Sequence, residues 1–394
     1  MERAADCHPN KKGDYQMSMD LTQMVQDCMN AISDRIGNLH KLNIIVAGKT
    51  GVGKSTLINS IFRENLAETG VGTPITTHMK QYSKKDFPLT IYDTRGFELG
   101  KDAQKEVKQE ILSTIRKGHA AKDVNAAIHC IWYCINTASD RIEPEEIEWL
   151  RDFTAESQET QVPVILVLTK SFSKKNAKAM KDFILNENLN VCQVIPVLAM
   201  DYEIDEGYPP IKAYGLDTLI EIMTQLLPEE LQDTLSHVQK VSLEHKKKRA
   251  HAAVAAATTA AFGEGMTPVP FADAAMLVPT QVAMIASITA IFGLNISRSI
   301  LTGFVSSTLG AGGATVLGRT ITANLIKLIP GAGTVAGGMI SGATAGLLTT
   351  ALGEAYIQLM TAIYLGELKA SEIETEAGKM KMKELFKARL KANR

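Results

Sequence analysis

The chain has 394 residues, of which 45% are apolar and 22% charged, with a formal net charge of −1. That length calls for two or three folding units, the composition excludes a mainly disordered protein, and the balanced charge gives no cause to expect a nucleic-acid partner. Cys7, Cys28, Cys130, Cys134 and Cys192 show neither a disulfide framework nor zinc-type spacing with the eight histidines, and the polar N-terminal stretch lacks the apolar run of a secretory signal, so a cytoplasmic location is expected.

In chain order, residues 1–16 are polar, and Met17–His40 carries Leu21, Met24, Val25, Cys28 and Met29 at helical spacing. From Leu42 to Leu227 short apolar runs alternate with amphipathic stretches. Strands are predicted at Leu42–Ala47, Leu89–Tyr92, Ala126–Cys134, Val162–Leu168 and Val191–Leu198. Helices are predicted at Ser55–Phe62, Lys101–Arg116, Pro144–Phe153, Lys174–Leu185 and Leu216–Leu226. The alternation predicts an α/β fold, a mainly parallel sheet with helices on both faces and ligands at the carboxyl ends of its strands.

Pro228–Glu244 reads as a helical connector, ending in the basic run His245–Arg249. Beyond it the chain turns Gly- and Ala-rich, with three stretches free of Asp, Glu, Lys and Arg: Ala274–Ser297, Ser299–Gly318 and Leu328–Gly353. Pro270 and Pro330 each precede a small-residue helix expected to close on Gly293 and Gly353, an offset of 60 that hints at a duplicated unit. The tail is charged, with Met380, Met382, Leu385, Phe386 and Leu390 at helical spacing. The expected organisation is 1–41 N-terminal helical segment, 42–227 α/β domain, 228–249 connector, 250–365 all-α Gly/Ala-rich domain and 366–394 charged helical tail.

The segment from Gly48 to Ser55 satisfies G-x-x-x-x-G-K-S between a predicted strand and a predicted helix, the P-loop context. Its residues Gly48, Lys49, Thr50, Gly51, Val52, Gly53, Lys54, Ser55 and Thr56 are the candidate nucleotide cradle. Backbone N–H groups and the helix N-terminus face the phosphates, Lys54 reaches the β- and γ-phosphates, and the Ser55 hydroxyl ligates Mg²⁺. Thr90–Gly96 ends a strand in D-x-x-G, which places Asp93 at Mg²⁺ and the Gly96 N–H at the γ-phosphate. Between the two lies Gly70–Thr77, from which Thr76, ahead of Thr77 and Thr73, is expected to complete the Mg²⁺ shell. Lys54, Thr76 and Gly96 are therefore the candidate catalytic group, and Ser55, Thr76 and Asp93 the candidate metal ligands.

This order of motifs resembles the Era/TrmE-like P-loop GTPases, with a 50S ribosome-binding GTPase-type domain over residues 42–227, joined to a hydrophobic Gly/Ala-rich domain of uncharacterised function. The resemblance implies a GTP-hydrolysing switch that uses GTP/GDP and Mg²⁺. Such proteins read guanine with N/T-K-x-D. Here Thr169 and Lys170 match, Phe172 stands where the aspartate should be, and Ala199 can offer its N–H to the base carbonyl. Phe97 follows Gly96 where a water-orienting glutamine occurs in Ras-like enzymes, so slow turnover is expected.

Gly333, Gly337, Gly338, Gly342 and Gly346 form rows of small residues that suit close helix packing in a membrane or in a soluble bundle, and both readings stay open. A guanine nucleotide is the expected partner. A membrane surface and a homodimer are both compatible with the sequence. A nucleotide-gated module with negligible turnover and an ATP-using P-loop protein are the alternatives.

Overall fold

The computed structural model describes residues 21–66, 73, 74, 76, 78–94, 101–139, 141–264, 273–309 and 342–368, with isolated positions 375, 377, 378, 380 and 384. The chain divides into two compact units. One comprises Ile32–Ala253 with Ala286–Asn295; the other comprises the segment up to Ala31, Val254–Ile285 and the segment from Ile296 onward.

The first unit holds strands β1 (Leu42–Ala47), β2 (Thr73–Pro74), β3 (Met79–Lys84), β4 (Phe87–Thr94), β5 (Cys130–Asn136), β6 (Val164–Thr169) and β7 (Gln193–Pro196). They form one sheet in the order β2-β3-β4-β1-β5-β6-β7, in which β2 pairs antiparallel with β3 and β3 antiparallel with β4, while the remaining neighbours are parallel. A strand covered on both faces is largely apolar, and β1, Leu-Asn-Ile-Ile-Val-Ala, is buried throughout, its one polar side chain, Asn43, donating to the Asn125 and Ala127 carbonyls. Its alternate residues feed two cores. Leu42, Ile44 and Val46 pack with α2 (Lys54–Ile61), α6 (Leu216–Leu226) and α7 (Glu229–Val238), through Leu57, Ile61, Ile220, Met223, Leu231 and Leu235. Ile45 and Ala47 pack with α3 (Lys101–Ala120), α4 (Pro144–Thr160) and α5 (Lys174–Asn186), through Ile111, Ile115, Leu150, Phe153 and Met180. The segment read as a connector thus contributes three residues of α7, Leu231, Leu235 and Val238, to a sheet core.

Two sequence expectations differ here. Ala126–His129 is not strand, because the Asn43 side chain donates to the carbonyls of Asn125 and Ala127 and holds that segment as a turn, which delays β5 to Cys130. Strand β3 was absent from the prediction. Its sequence, Met-Lys-Gln-Tyr-Ser-Lys, is polar because only Met79 is buried.

In the first unit α7 is followed by α8 (Leu243–Glu264), whose early turns bury Lys246 completely. The Lys246 ammonium donates to the carbonyls of Ser236, Ile291 (3.2 Å) and Phe292 (3.0 Å), the last two at the end of α9 (Asp273–Phe292). His237 Nδ1 donates to Ala290 O at 2.7 Å on the same helix end. N–H donors of a lysine and a histidine thus meet the carbonyls that a helix C-terminus leaves unpaired. Gly293, at φ +67°, closes α9 as expected.

In the second unit α1 (Leu21–Gly37) contributes its first turns, with Met24, Val25 and Cys28 buried, beside parts of α8 and α9, α10 (Arg298–Leu309) and α11 (Gly342–Tyr364). Gly353 does not close a helix; it lies inside α11. A Cβ there would fall 2.5 Å from Val254 Cγ2 and 2.9 Å from Met284 Sδ, so the glycine serves close helix approach and the inferred duplication loses its second closing turn. Thr258 and Thr350 share a hydroxyl hydrogen bond of 2.8 Å, and Phe304 meets Tyr356 with ring centroids 4.9 Å apart. Helix α9 runs through Pro279. Among the described residues no helix is long and apolar enough to cross a membrane. Pro270, Pro330, Gly333, Gly337, Gly338 and most of the tail lie outside the described residues.

Candidate nucleotide site

At the carboxyl end of β1 the chain turns into α2 through three glycines with positive φ: Gly48 (+135°), Gly51 (+77°) and Gly53 (+105°). At Gly48 the constraint is also one of space, since a Cβ would overlap the Cys134 carbonyl of β5. Gly53 caps α2 without a side-chain hydrogen bond, leaving the first helical N–H groups to an anion. Lys54 is buried, and its ammonium donates to Gly48 O (2.8 Å) and Lys49 O (3.1 Å), arched over the loop. It stands 3.9 Å from Asp93 Oδ1, at the tip of β4. Thr50, Gly51, Ser55 and Thr56 are exposed, whereas Val52 is buried and directs its carbonyl at Thr169. Burial beside the loop pushes the Cys134 thiol up to about 12, so it is an inert structural group.

For Mg²⁺ the donor chemistry fits. Asp93 supplies a carboxylate and Ser55 a hydroxyl, both hard oxygen ligands, and Asp93 faces the Lys54 ammonium across the P-loop. Thr76 is placed otherwise. Its hydroxyl donates to Glu110 Oε2 on α3 and accepts the Met79 N–H at 3.0 Å, and the His78 N–H also reaches Glu110, at 3.3 Å. The threonine expected at the metal is therefore held against α3, at the edge of a cavity of about 630 Å³ lined also by Tyr92, Glu106, Ser113 and Lys117. Thr73 lies in β2, and Gly96, Phe97 and Thr77 fall outside the described residues.

On the far side of the P-loop, Thr169 ends β6. Its hydroxyl is shared between Val52 O (2.6 Å) and Ile135 O (3.0 Å), so it braces the loop instead of facing a base. Lys170 takes φ +53°, and its stem runs within 3.9 Å of the Cβ position at Gly53. Ser171 donates its N–H to Val197 O, and a tight turn from Phe172 N to Lys170 O (2.7 Å) presents Phe172 at the loop tip. The Phe172 ring meets Tyr202, centroids 4.2 Å apart. Ala199 follows β7, and backbone pairing with Tyr214 stops one residue before it, at Leu198.

The sequence reading missed Glu110, Glu146 and Tyr202. Glu146 binds Lys49 at 2.6 Å and accepts the Tyr133 hydroxyl at 2.9 Å, pinning the P-loop to α4. Glu106 and Glu110 stand four apart on an amphipathic helix, where nothing in the sequence sets them apart from other surface carboxylates.

Residues 43–170 match the family described as 50S ribosome-binding GTPase, and residues 230–391 match the domain of unknown function DUF697. Similar proteins include human Septin-12 (24% identical over 193 residues; 42% of this chain, 52% of the relative). They include the chloroplastic GTPase ERA-like protein of Oryza sativa subsp. japonica (27% over 197; 48% and 43%) and GTPase Era of Clostridium botulinum (26% over 193; 47% and 55%). The chain spans about half the length of these relatives. Among solved structures, Toc33 of Arabidopsis thaliana in complex with Mg²⁺ and GMPPNP is similar at TM-score 0.29 and 16% identity, over 55% of this chain and 92% of Toc33, too distant to carry an argument.

Proposed function

We propose that this chain, which carries a P-loop GTPase domain of the 50S ribosome-binding GTPase type at residues 43–170, binds GTP with Mg²⁺, hydrolyses it to GDP and phosphate, and couples that cycle to its helical domain. The observation that carries the reading is the geometry at Lys54: a buried ammonium clamped on the P-loop carbonyls and aimed at Asp93 beside the uncapped start of α2. In water-poor surroundings, oriented N–H groups and one ammonium stabilise the charge that builds on the transferred phosphoryl oxygens.

Backbone N–H groups from Gly51 to Ser55 hold the phosphates, and the Lys54 ammonium moves from its loop carbonyls to the β- and γ-oxygens. Ser55 and Asp93 are the residues that hold Mg²⁺, which when bound neutralises phosphate charge. The Lys170 stem flanks the base, and Thr169 keeps the P-loop and the base loop at a fixed spacing. A membrane-facing effector role for the helical domain fits its small-residue rows; self-association is part of the same reading.

The test is phosphate release from GTP and Mg²⁺-dependent binding of fluorescent GTP, with Lys54→Ala as control. Both are expected to fall at least about 100-fold in the variant. A variant that keeps wild-type binding and release sinks the proposal. Pelleting with anionic vesicles under a GTP analogue and under GDP tests the coupling; equal pelleting in both states removes it.

A further inference from the structure

Guanine presents N1–H and the 2-amino group on one edge, two donors that need an acceptor, and a 6-carbonyl on the next, which needs a donor. A nucleotide whose phosphates lie on Gly48–Ser55 places its base beside Lys170 and Gly53, between the loops 169–173 and 198–202. Among the side-chain acceptors, those of Ser171, Ser173 and Asp201 are already engaged. The Ser171 hydroxyl is buried and donates to Leu168 O. The Ser173 hydroxyl accepts the Asn176 N–H as the cap of α5. Asp201 is the one carboxylate in these loops. Its Oδ2 already accepts Lys212 Nζ at 2.7 Å and its Oδ1 the Ala213 N–H at 2.8 Å, bonds that hold its carboxyl below the usual range. What remains at the loop tips is the Phe172 and Tyr202 rings in contact and the exposed Met200, with the Tyr202 hydroxyl the one polar side-chain group among them.

We propose that the Phe172–Tyr202 pair makes the base site blind to the purine 2-amino group, so that the substrate class is the 6-oxopurine nucleotides, inosine and guanine alike. The inference rests on the reading of the chain as a guanine-nucleotide-type P-loop protein and deepens it. The Phe172 ring, standing where a carboxylate would read the base, accepts no hydrogen bond, so the 2-amino group gains nothing at that position and inosine loses nothing there by lacking it. The 6-position is read differently. The Ala199 N–H lies just past the last backbone pairing with Tyr214 and suits a 6-carbonyl, whereas a 6-amino group would bring donor against donor. Stacking on the rings and on the Lys170 stem supplies affinity that does not depend on the 2-substituent.

The experiment is displacement of fluorescent GDP from the full chain by GDP, IDP and ADP, with Mg²⁺ present. IDP is expected within about threefold of GDP and ADP at least about 30-fold weaker. IDP at least about 30-fold weaker than GDP, with ADP weak as well, overturns the proposal and leaves the guanine-type reading standing. ADP as tight as GDP, or no binding of any of the three, overturns that reading and the proposal with it. Phe172→Asp is expected to raise the preference for GDP over IDP at least about tenfold. Phe172→Leu, which keeps the wall apolar, is expected to leave the ratio near one. A GDP preference that Phe172→Leu creates, or that Phe172→Asp fails to create while binding GDP, counts against the pair as the determinant.

Discussion

Thr76 donates its one hydroxyl proton to Glu110 and accepts the Met79 N–H, which leaves little freedom to turn toward a metal ion near Asp93. A hydrogen bond to a charged carboxylate is worth about 1.5–3 kcal/mol when shielded and less when partly exposed, as here. On the reading in which Thr76 completes the Mg²⁺ shell, this bond would oppose the triphosphate state, and Glu110→Ala is predicted to raise affinity for a non-hydrolysable GTP analogue about 5- to 10-fold relative to GDP. An unchanged ratio of the two dissociation constants would show that the bond does not compete. The positions of Lys54 and Asp93 were legible because they follow from local order, a glycine-rich turn after one strand and a carboxylate at the tip of another. Glu110 was not, because its partner is 34 residues away and nothing in an amphipathic helix marks one surface glutamate from the next.

The parallel strands could be read from sequence because burial on both faces favours apolar runs, as in Ile44–Ala47 and Val164–Leu168. Strand β3 escaped because it obeys another rule. It pairs antiparallel with β4 and leaves most of its side chains only half-buried, so Lys80, Gln81, Ser83 and Lys84 imitate a loop. Gly353 shows the reverse error, in which a residue type read as a stop signal serves contact. At α11 the methyl groups of Val254 and the Met284 sulfur occupy the space a side chain would need. Gly353→Val is predicted to destabilise the helical unit by about 1–3 kcal/mol, the usual cost of overpacking, offset in small part by better helix propensity. Urea or thermal unfolding measures it. Wild-type stability would mean that the helices separate freely at this point.

Across the sheet-bearing unit, three buried histidines set the response to acid. Burial is the main cause that lowers His129, His237 and His245 from 6.5 to about 4. The bonding agrees for two of them. His129 Nδ1 accepts the Asn43 N–H while Nε2 donates to Val124 O, and His237 Nδ1 donates to Ala290 O while Nε2 faces Arg63. A second proton would set a donor against a donor. Folded pKa values below unfolded ones mean that the unfolded chain binds protons first on acidification. The stabilisation is complete above about pH 6.5 and is lost as pH falls toward 4, at up to about 1.4 kcal/mol per pH unit for each histidine. The urea midpoint is predicted to drop between pH 7 and pH 5, and by less in His129→Gln. A midpoint that is flat over that range contradicts the neutral assignments.

The same unit takes in Ala286–Asn295, although Val254–Ile285 intervenes in the chain. Until that segment has left the ribosome, the Lys246 ammonium and the His237 ring lack the Ile291, Phe292 and Ala290 carbonyls that satisfy them. A nascent G domain is thus complete in sequence long before it is complete in structure, and its final closure during synthesis waits on the helical domain's own second helix. A chain truncated after Ala253 should accumulate as a chaperone client or be degraded, whereas one extended to Asn295 or beyond can bury its lysine and persist.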